Sequence, residues 1–124
     1  MSVVLVADDD ADVSELVSFL LEDQGHEVVA TDNGDDALRE VRSRLPALVL
    51  LDVSMPGGPD GFDVTRALKA DAATSGIPVL LLTARGREVD VQEGLAAGAD
   101  GYLVKPFDPA DLFTRVESLL AADA

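Results

Sequence analysis

Short apolar runs alternate along this chain with stretches of helical period, five times over. Val3–Ala7 is a continuous β-branched and aliphatic run that stops at Asp8-Asp9-Asp10. Val13, Leu16, Val17, Leu20 and Leu21 then recur at the spacing of one helical face, and Gly25 ends that helix. Val28-Val29-Ala30 with its flanks predicts a second short strand. Asn33-Gly34 reads as a turn into a helix that turns Ala37, Leu38 and Val41 inward and stops before Pro46. A third strand, Leu48–Leu51, finishes on Asp52, and Pro56-Gly57-Gly58-Pro59 forms the loop to a helix marked by Phe62, Val64 and Leu68. Pro78–Leu82 is a fourth strand ending at Thr83. Residues from about Glu88 to Ala97 are helical, with Gly98 as C-terminal cap. Tyr102-Leu103-Val104 is a fifth strand ending at Lys105, and Asp108-Pro109-Ala110-Asp111 opens a last helix with an acid at the cap and proline just inside it.

All but the second and fifth strands are unbroken apolar runs rather than in/out alternations. Strands buried on both faces have that composition, so the pattern predicts a parallel sheet covered by helices on both sides. The chain has 124 residues, enough for one domain with a sizeable core and no second one. The last helix reaches the C-terminus, so the expectation is that no output domain follows in this chain.

Composition narrows the function. The formal net charge is −15, from 24 acidic and 9 basic residues. Phosphate-rich surfaces are bound by Lys/Arg patches, so direct nucleic-acid or anionic-membrane binding is not expected. A hydrophobic share of 48% argues against disorder, the other common reading of high charge. Absence of cysteine removes disulfides, thiolate metal sites and cysteine nucleophiles. The N-terminus has no basic segment of a secretory signal, and no apolar run is long enough to span a bilayer. The expectation is a cytoplasmic protein.

In open parallel α/β sheets, ligands bind beyond the carboxyl ends of the strands. Strand one ends in Asp8-Asp9, strand three in Asp52, strand four in Thr83 and strand five in Lys105. If these strands are adjacent, the side chains converge. Singly, each has a plain explanation: a turn-forming or capping acid, a strand-end hydroxyl, a solvated lysine. Together, three carboxylates repel and need a reason to coexist. A hard divalent cation such as Mg²⁺, which takes carboxylates, waters and phosphate oxygens, supplies it. Lys105 adds a point charge for an anion and Thr83 a hydroxyl. That set describes phosphoryl transfer to a carboxylate nucleophile.

Other candidates are weaker. His26, the single histidine, stands at the start of strand two, away from this edge, and reads as structural. The serines at 14, 18, 43, 75 and 118 have no base nearby. Arg39, Arg42 and Arg44 read as a solvated helix face balancing local acids, and Gly57-Gly58 lacks the lysine of a phosphate loop.

With these pieces in order, the sequence resembles the receiver domain of two-component response regulators. The resemblance is carried by Val4–Asp10, Asn33–Leu38, Leu50–Pro56, Asp60-Gly61-Phe62, Leu82-Thr83-Ala84 and Gly98–Phe107, at the family's spacing over nearly the whole chain. It implies a doubly wound (βα)5 fold of the flavodoxin-like, chemotaxis-regulator type, with strand order 2-1-3-4-5. Asp52 is then the phosphoacceptor, taking its group from a phosphohistidine. Asp8, Asp9, Asp52 and the backbone carbonyl of Ser54 hold Mg²⁺, with Asp8 acting largely through water. Lys105 pairs with the phosphoryl oxygens and joins Pro106 by a cis peptide bond. Thr83 binds the phosphoryl group, Tyr102 is the aromatic switch coupled to it, and Ser54 and Arg85 influence how water reaches it. Gly86 and Gly94 are expected to make helix four and its approach pliable.

The implied partners are a sensor histidine kinase or histidine phosphotransfer protein, and a separate effector bound on the helix four–strand five–helix five face. A second copy of the chain is another expected occupant of that face. Two departures are visible: the loop 55–61 looks one residue longer than the common form, and Ala11 stands where the family often has proline. Rival classes fit less well. An aspartate-nucleophile phosphatase wants a second Asp at position 54, an FMN binder wants a hydroxyl- and glycine-rich loop where Asp8-Asp9-Asp10 stands, and a degenerate receiver has no need of all five site residues.

Overall fold

The computed structural model describes residues 2–122. Its elements strictly alternate: β1 Val3–Ala7, α1 Ala11–Asp23, β2 Glu27–Thr31, α2 Gly34–Arg44, β3 Leu48–Asp52, α3 Gly61–Ala70, β4 Val79–Thr83, α4 Glu88–Ala97, β5 Gly101–Val104 and α5 Pro109–Ala122. The five strands are parallel and lie in the order β2-β1-β3-β4-β5. The predicted doubly wound sheet is therefore what forms.

Alternation along the strands builds two cores, one on each face of the sheet. Leu5, Val49, Leu51 and Leu81 pack with Ala37 and Val41 of α2 and Phe62, Val64 and Leu68 of α3. Val4, Val6, Leu50 and Leu82 pack with Val17 and Leu21 of α1 and Leu112 and Val116 of α5. Successive residues serve opposite faces, which is why the central strands carry no polar position until their last residue. The strand β2 lies at an open edge and is only half-buried, consistent with its weaker apolar run. Leu16, although in register with the α1 stripe, is 50% exposed. It lies about 100° around the helix from Val17 and so falls beyond the buried arc.

Local chemistry sets the helix ends. Asp10 caps α1, accepting from the N–H groups of Asp12 and Val13. Asn33 caps α2, Asp60 and Asp63 form a reciprocal capping box on α3, and Asp108 Oδ1 accepts from Ala110 N–H at the start of α5. Gly98 closes α4 with φ +104°, a conformation that favours glycine. At the opposite sheet edge Lys69 Nζ donates to the carbonyls of Ser75 and Ile77 and to Asp100, whose carboxylate also accepts from Val79 N–H. This network anchors the entry to β4. Arg39 pairs with Asp36 and Arg44 with Glu40 on the exposed side of α2, the balancing role expected of them.

Candidate functional site

Parallel strands in register deliver their last residues to one edge. Ala7 is paired with Leu51, Asp52 with Leu82, and Thr83 with Val104, so the next residues along β1 and β5, Asp8 and Lys105, flank Asp52 and Thr83. The Lys105 N–H donates to the Thr83 carbonyl at 2.7 Å, which ties the ends of β4 and β5 together. Lys105-Pro106 is a cis peptide bond, as expected.

Carboxylate oxygens of Asp8, Asp9 and Asp52 lie within 4.8 Å of one another, Asp8 and Asp52 buried and Asp9 exposed. The Asp8 carboxylate is fully engaged: Oδ1 accepts from Asp10 N–H at 2.9 Å, and Oδ2 from Lys105 Nζ at 2.7 Å. Lys105 Nζ stands further from Asp52, 3.6 Å from Oδ2. The Ser54 N–H donates to Asp52 Oδ1 at 3.3 Å. These contacts do not satisfy Asp52. Burial first, and the Asp8 carboxylate second, push its carboxyl up to about 7, a hydrogen bond with Asp9 adding to the rise. Lys105 and the Ser54 amide oppose the shift without cancelling it.

The donor set suits Mg²⁺. All donors are hard oxygens, and two oxygens bound directly to one Mg²⁺ are at most about 4.2 Å apart, so a spread of up to 4.8 Å accommodates the ion with one carboxylate reaching it through water.

Two glycines shape the frame. A Cβ on Gly61 would lie 2.5 Å from the Asp52 carbonyl oxygen and 2.8 Å from Val53 Cα, so the start of α3 presses bare backbone against the segment carrying Asp52. Gly34 meets Pro59 in the same way, which docks the loop 53–60 on the start of α2. Met55 is buried beneath that loop, and Gly57 turns it with φ +81°. The long loop is thus held at both ends, and Ser54 sits exposed at the mouth.

Thr83 is buried, and its Oγ1 accepts from Arg85 N–H at 3.1 Å. The Arg85 guanidinium crosses to the other loop, with Nε 3.2 Å from Ser54 Oγ. Its carbonyl accepts from the Tyr102 hydroxyl at 2.7 Å. One residue therefore touches three of the side chains singled out from the sequence. Burial and the Asp90 carboxylate hold the Tyr102 phenol above 10, with Thr83 and Arg85 offsetting part of the rise.

Two features are not readable from the sequence. Asp90 is buried in α4 against Arg87, which holds its carboxyl below the usual range; an Asp in the first turn of a helix reads as a cap acid, and nothing in the sequence marks it as facing Tyr102. The closer pairing of Lys105 with Asp8 than with Asp52 is equally hidden, because spacing cannot rank two acids at one edge. His26 lies outside the site, as expected, 3.9 Å from Glu117 with no hydrogen-bond partner among the described residues. A groove of about 630 Å³ between α1 and α2 opens beside Asp8 and Asp9, and its walls include Glu15, Asp32 and Asp36.

Residues 4–117 match the response regulator receiver domain family, and the chain belongs to it. It is 44% identical over 117 residues to the DNA-binding response regulator MtrA of Mycobacterium tuberculosis, covering 94% of this chain and 50% of MtrA. It is 40% identical over 117 residues to the phosphate regulon transcriptional regulatory protein PhoB of Escherichia coli, covering 94% of this chain and 51% of PhoB. The chain spans about half the length of these relatives. Among solved structures, the Vibrio cholerae chemotaxis protein CheY4 superposes with a TM-score of 0.89 at 34% identity, covering 96% of this chain and 98% of that one. The protein is thus a receiver domain of a two-component response regulator, a signalling module, and no helix among the described residues is long and apolar enough to cross a membrane.

Proposed function

We propose that residues 1–124 act as a cytoplasmic phospho-accepting switch, with Asp52 taking a phosphoryl group from the phosphohistidine of a sensor kinase or histidine phosphotransfer protein. The observation that carries this reading is the packing of Asp8, Asp9 and Asp52 around one point with Lys105 against them. An Asp52 oxygen forms the new bond to phosphorus as the phosphorus–nitrogen bond breaks, and the leaving imidazole keeps the nitrogen's electron pair and takes up a proton. Asp52 must be ionised to attack, yet burial and the Asp8 carboxylate hold its carboxyl at about 7.

Asp8, Asp9, Asp52 and the Ser54 carbonyl would hold Mg²⁺, which would supply positive charge to offset the acids and the incoming phosphoryl oxygens. Lys105 is half-buried beside Asp8 and is 3.6 Å from Asp52, within reach of a phosphoryl oxygen attached there. It contributes fixed positive charge where negative charge accumulates. The Thr83 hydroxyl, which now accepts from Arg85 N–H, donates its own proton to the same group and moves toward it. That movement is transmitted through the Arg85 peptide to Tyr102 and the α4–β5–α5 face.

Leu95 and Val104 are exposed on that face, 54% and 39% respectively, and an effector protein or a second copy of the chain covers them in one of the two states. The strongly acidic surface leaves no role for direct nucleic-acid contact by this domain. Incubation with acetyl phosphate and Mg²⁺ followed by intact-mass measurement tests the reading. Gain of one acid-stable, base-labile phosphoryl group, absent from Asp52→Asn, is the expected result; no gain in the wild type leaves only a protein-binding module.

A further inference from the structure

Tyr102 on β5 and Leu81 on β4 are register partners, and α4 lies over both. The helix residue above them is Gly94, which is buried. A Cβ at that position would stand 2.9 Å from Leu81 Cδ1, 3.0 Å from Tyr102 Cδ2 and 3.1 Å from Tyr102 Cε2. Carbon atoms pack comfortably at about 3.5–4.0 Å, so no side chain fits there without moving a neighbour. The far end of the ring is fixed too, its hydroxyl on the Arg85 carbonyl at 2.7 Å, and the N–H of that residue is held by Thr83 Oγ1.

Glycine within a helix is less favourable than alanine. Pliability of α4 is one account of that cost, but clearance for the ring is the account the contacts give. The tyrosine lies between bare helix backbone on one side and β4 on the other, in a slot that only a glycine at 94 leaves open.

We propose that Gly94 is a positioning residue that seats Tyr102 beneath α4, and that a side chain at position 94 displaces the ring and breaks its hydroxyl bond to the Arg85 carbonyl. The proposal deepens the reading of Tyr102 as a switch and rests on it for its consequence in signalling. The seat fixes the resting balance between the inward ring and a displaced one, and it links α4 to the Thr83–Arg85 segment beside Asp52.

The chain has one tyrosine and no tryptophan, so phenol absorbance and tyrosine fluorescence report Tyr102 alone. Asp90 and Glu93 of α4 and Arg85 of the preceding loop are the charged groups around it. In Gly94→Ala the phenol ionisation midpoint is expected to fall towards the free value of about 10, and iodide quenching of the fluorescence to rise. An unchanged midpoint and unchanged quenching in a folded Gly94→Ala protein would overturn the proposal, since Leu81 or the helix would then have yielded instead. Stability provides a second test that survives a loss of folding in the single variant. Gly94→Ala should lower the melting temperature more when Tyr102 is present than in a Tyr102→Ala background, where only the Leu81 contact remains; an equal change in both backgrounds refutes the seat. A beryllofluoride arm separates the seat from the switch: if the mimic alters the tyrosine signal of neither protein, the switch reading fails, while the midpoint comparison still judges the seat.

Discussion

Lys105 sits closer to Asp8 than to Asp52: its ammonium lies 2.7 Å from one carboxylate and 3.6 Å from the other. Asp8 is almost wholly buried, so before any phosphoryl group arrives the lysine serves as counter-charge for an acid that has no other cation within salt-bridge distance among the described residues. Lys105→Met should therefore do two things. It should abolish phosphoryl uptake, and it should destabilise the metal-free protein at neutral pH by about 1–3 kcal/mol, the cost of stranding a buried charged acceptor. Chemical denaturation in EDTA measures the second effect, and an unchanged midpoint there would mean that the lysine is not compensating Asp8.

Asp52 predicts a pH dependence with a definite sign. Its carboxyl stands at about 7 in the folded protein against 3.8 when unperturbed, so between these values the native state holds a proton that the unfolded chain has released. The associated stability is complete below about pH 4 and is lost as pH rises through about 7. Relative to Asp52→Asn, the metal-free wild type should thus become progressively less stable across that window. Each tenfold change in proton affinity is worth about 1.4 kcal/mol, and solvent at the mouth of the site tempers the total to a difference on the order of 1–3 kcal/mol above pH 7. Parallel stability–pH curves for the two proteins would contradict the acid crowding described here.

Mg²⁺ should reverse that penalty. A cation that binds only the folded state adds roughly 1.4 kcal/mol at ten times its dissociation constant, read as a rise in melting temperature. Asp9→Ala removes an exposed ligand without disturbing the buried Asp8–Lys105 pair, and should erase most of the rise. A mutant that responds to Mg²⁺ as the wild type does places the ion elsewhere.

Much of this is legible from residue order because parallel strands obey a simple rule. Each apolar run ends on the residue that meets the ligand edge, so Asp8, Asp52, Thr83 and Lys105 can be placed together without knowing their distances. The caps at Gly98 and Asp108 are equally readable, since their chemistry is local. What depends on packing between elements is not. Leu16 has the helical spacing of a core residue and points to solvent; Gly94 has the look of a helix-weakening residue and is a clearance; Asp90 has the look of a cap acid and is buried. In each, the deciding contact is with an element distant in sequence.

Arg85 offers a test that isolates one side chain from its own backbone. Its N–H and carbonyl hold Thr83 and Tyr102, and both survive substitution by alanine. Only the guanidinium is lost, and with it the 3.2 Å contact to Ser54 Oγ that bridges the loops after β3 and β4 above Asp52. If water approaches phosphorus on Asp52 past that bridge, the pair slows hydrolysis by occupying the approach. Arg85→Ala should accelerate loss of the phosphoryl group by about 3- to 10-fold, equivalent to roughly 0.7–1.4 kcal/mol of barrier. Ser54→Ala, which leaves the arginine in place without its anchor, should give a smaller acceleration. Single-turnover decay of the acetyl phosphate-labelled protein, followed by intact mass after removal of donor, gives both rates. If Arg85→Ala decays at the wild-type rate, the bridge does not guard the site and the arginine has no part in phosphoryl lifetime.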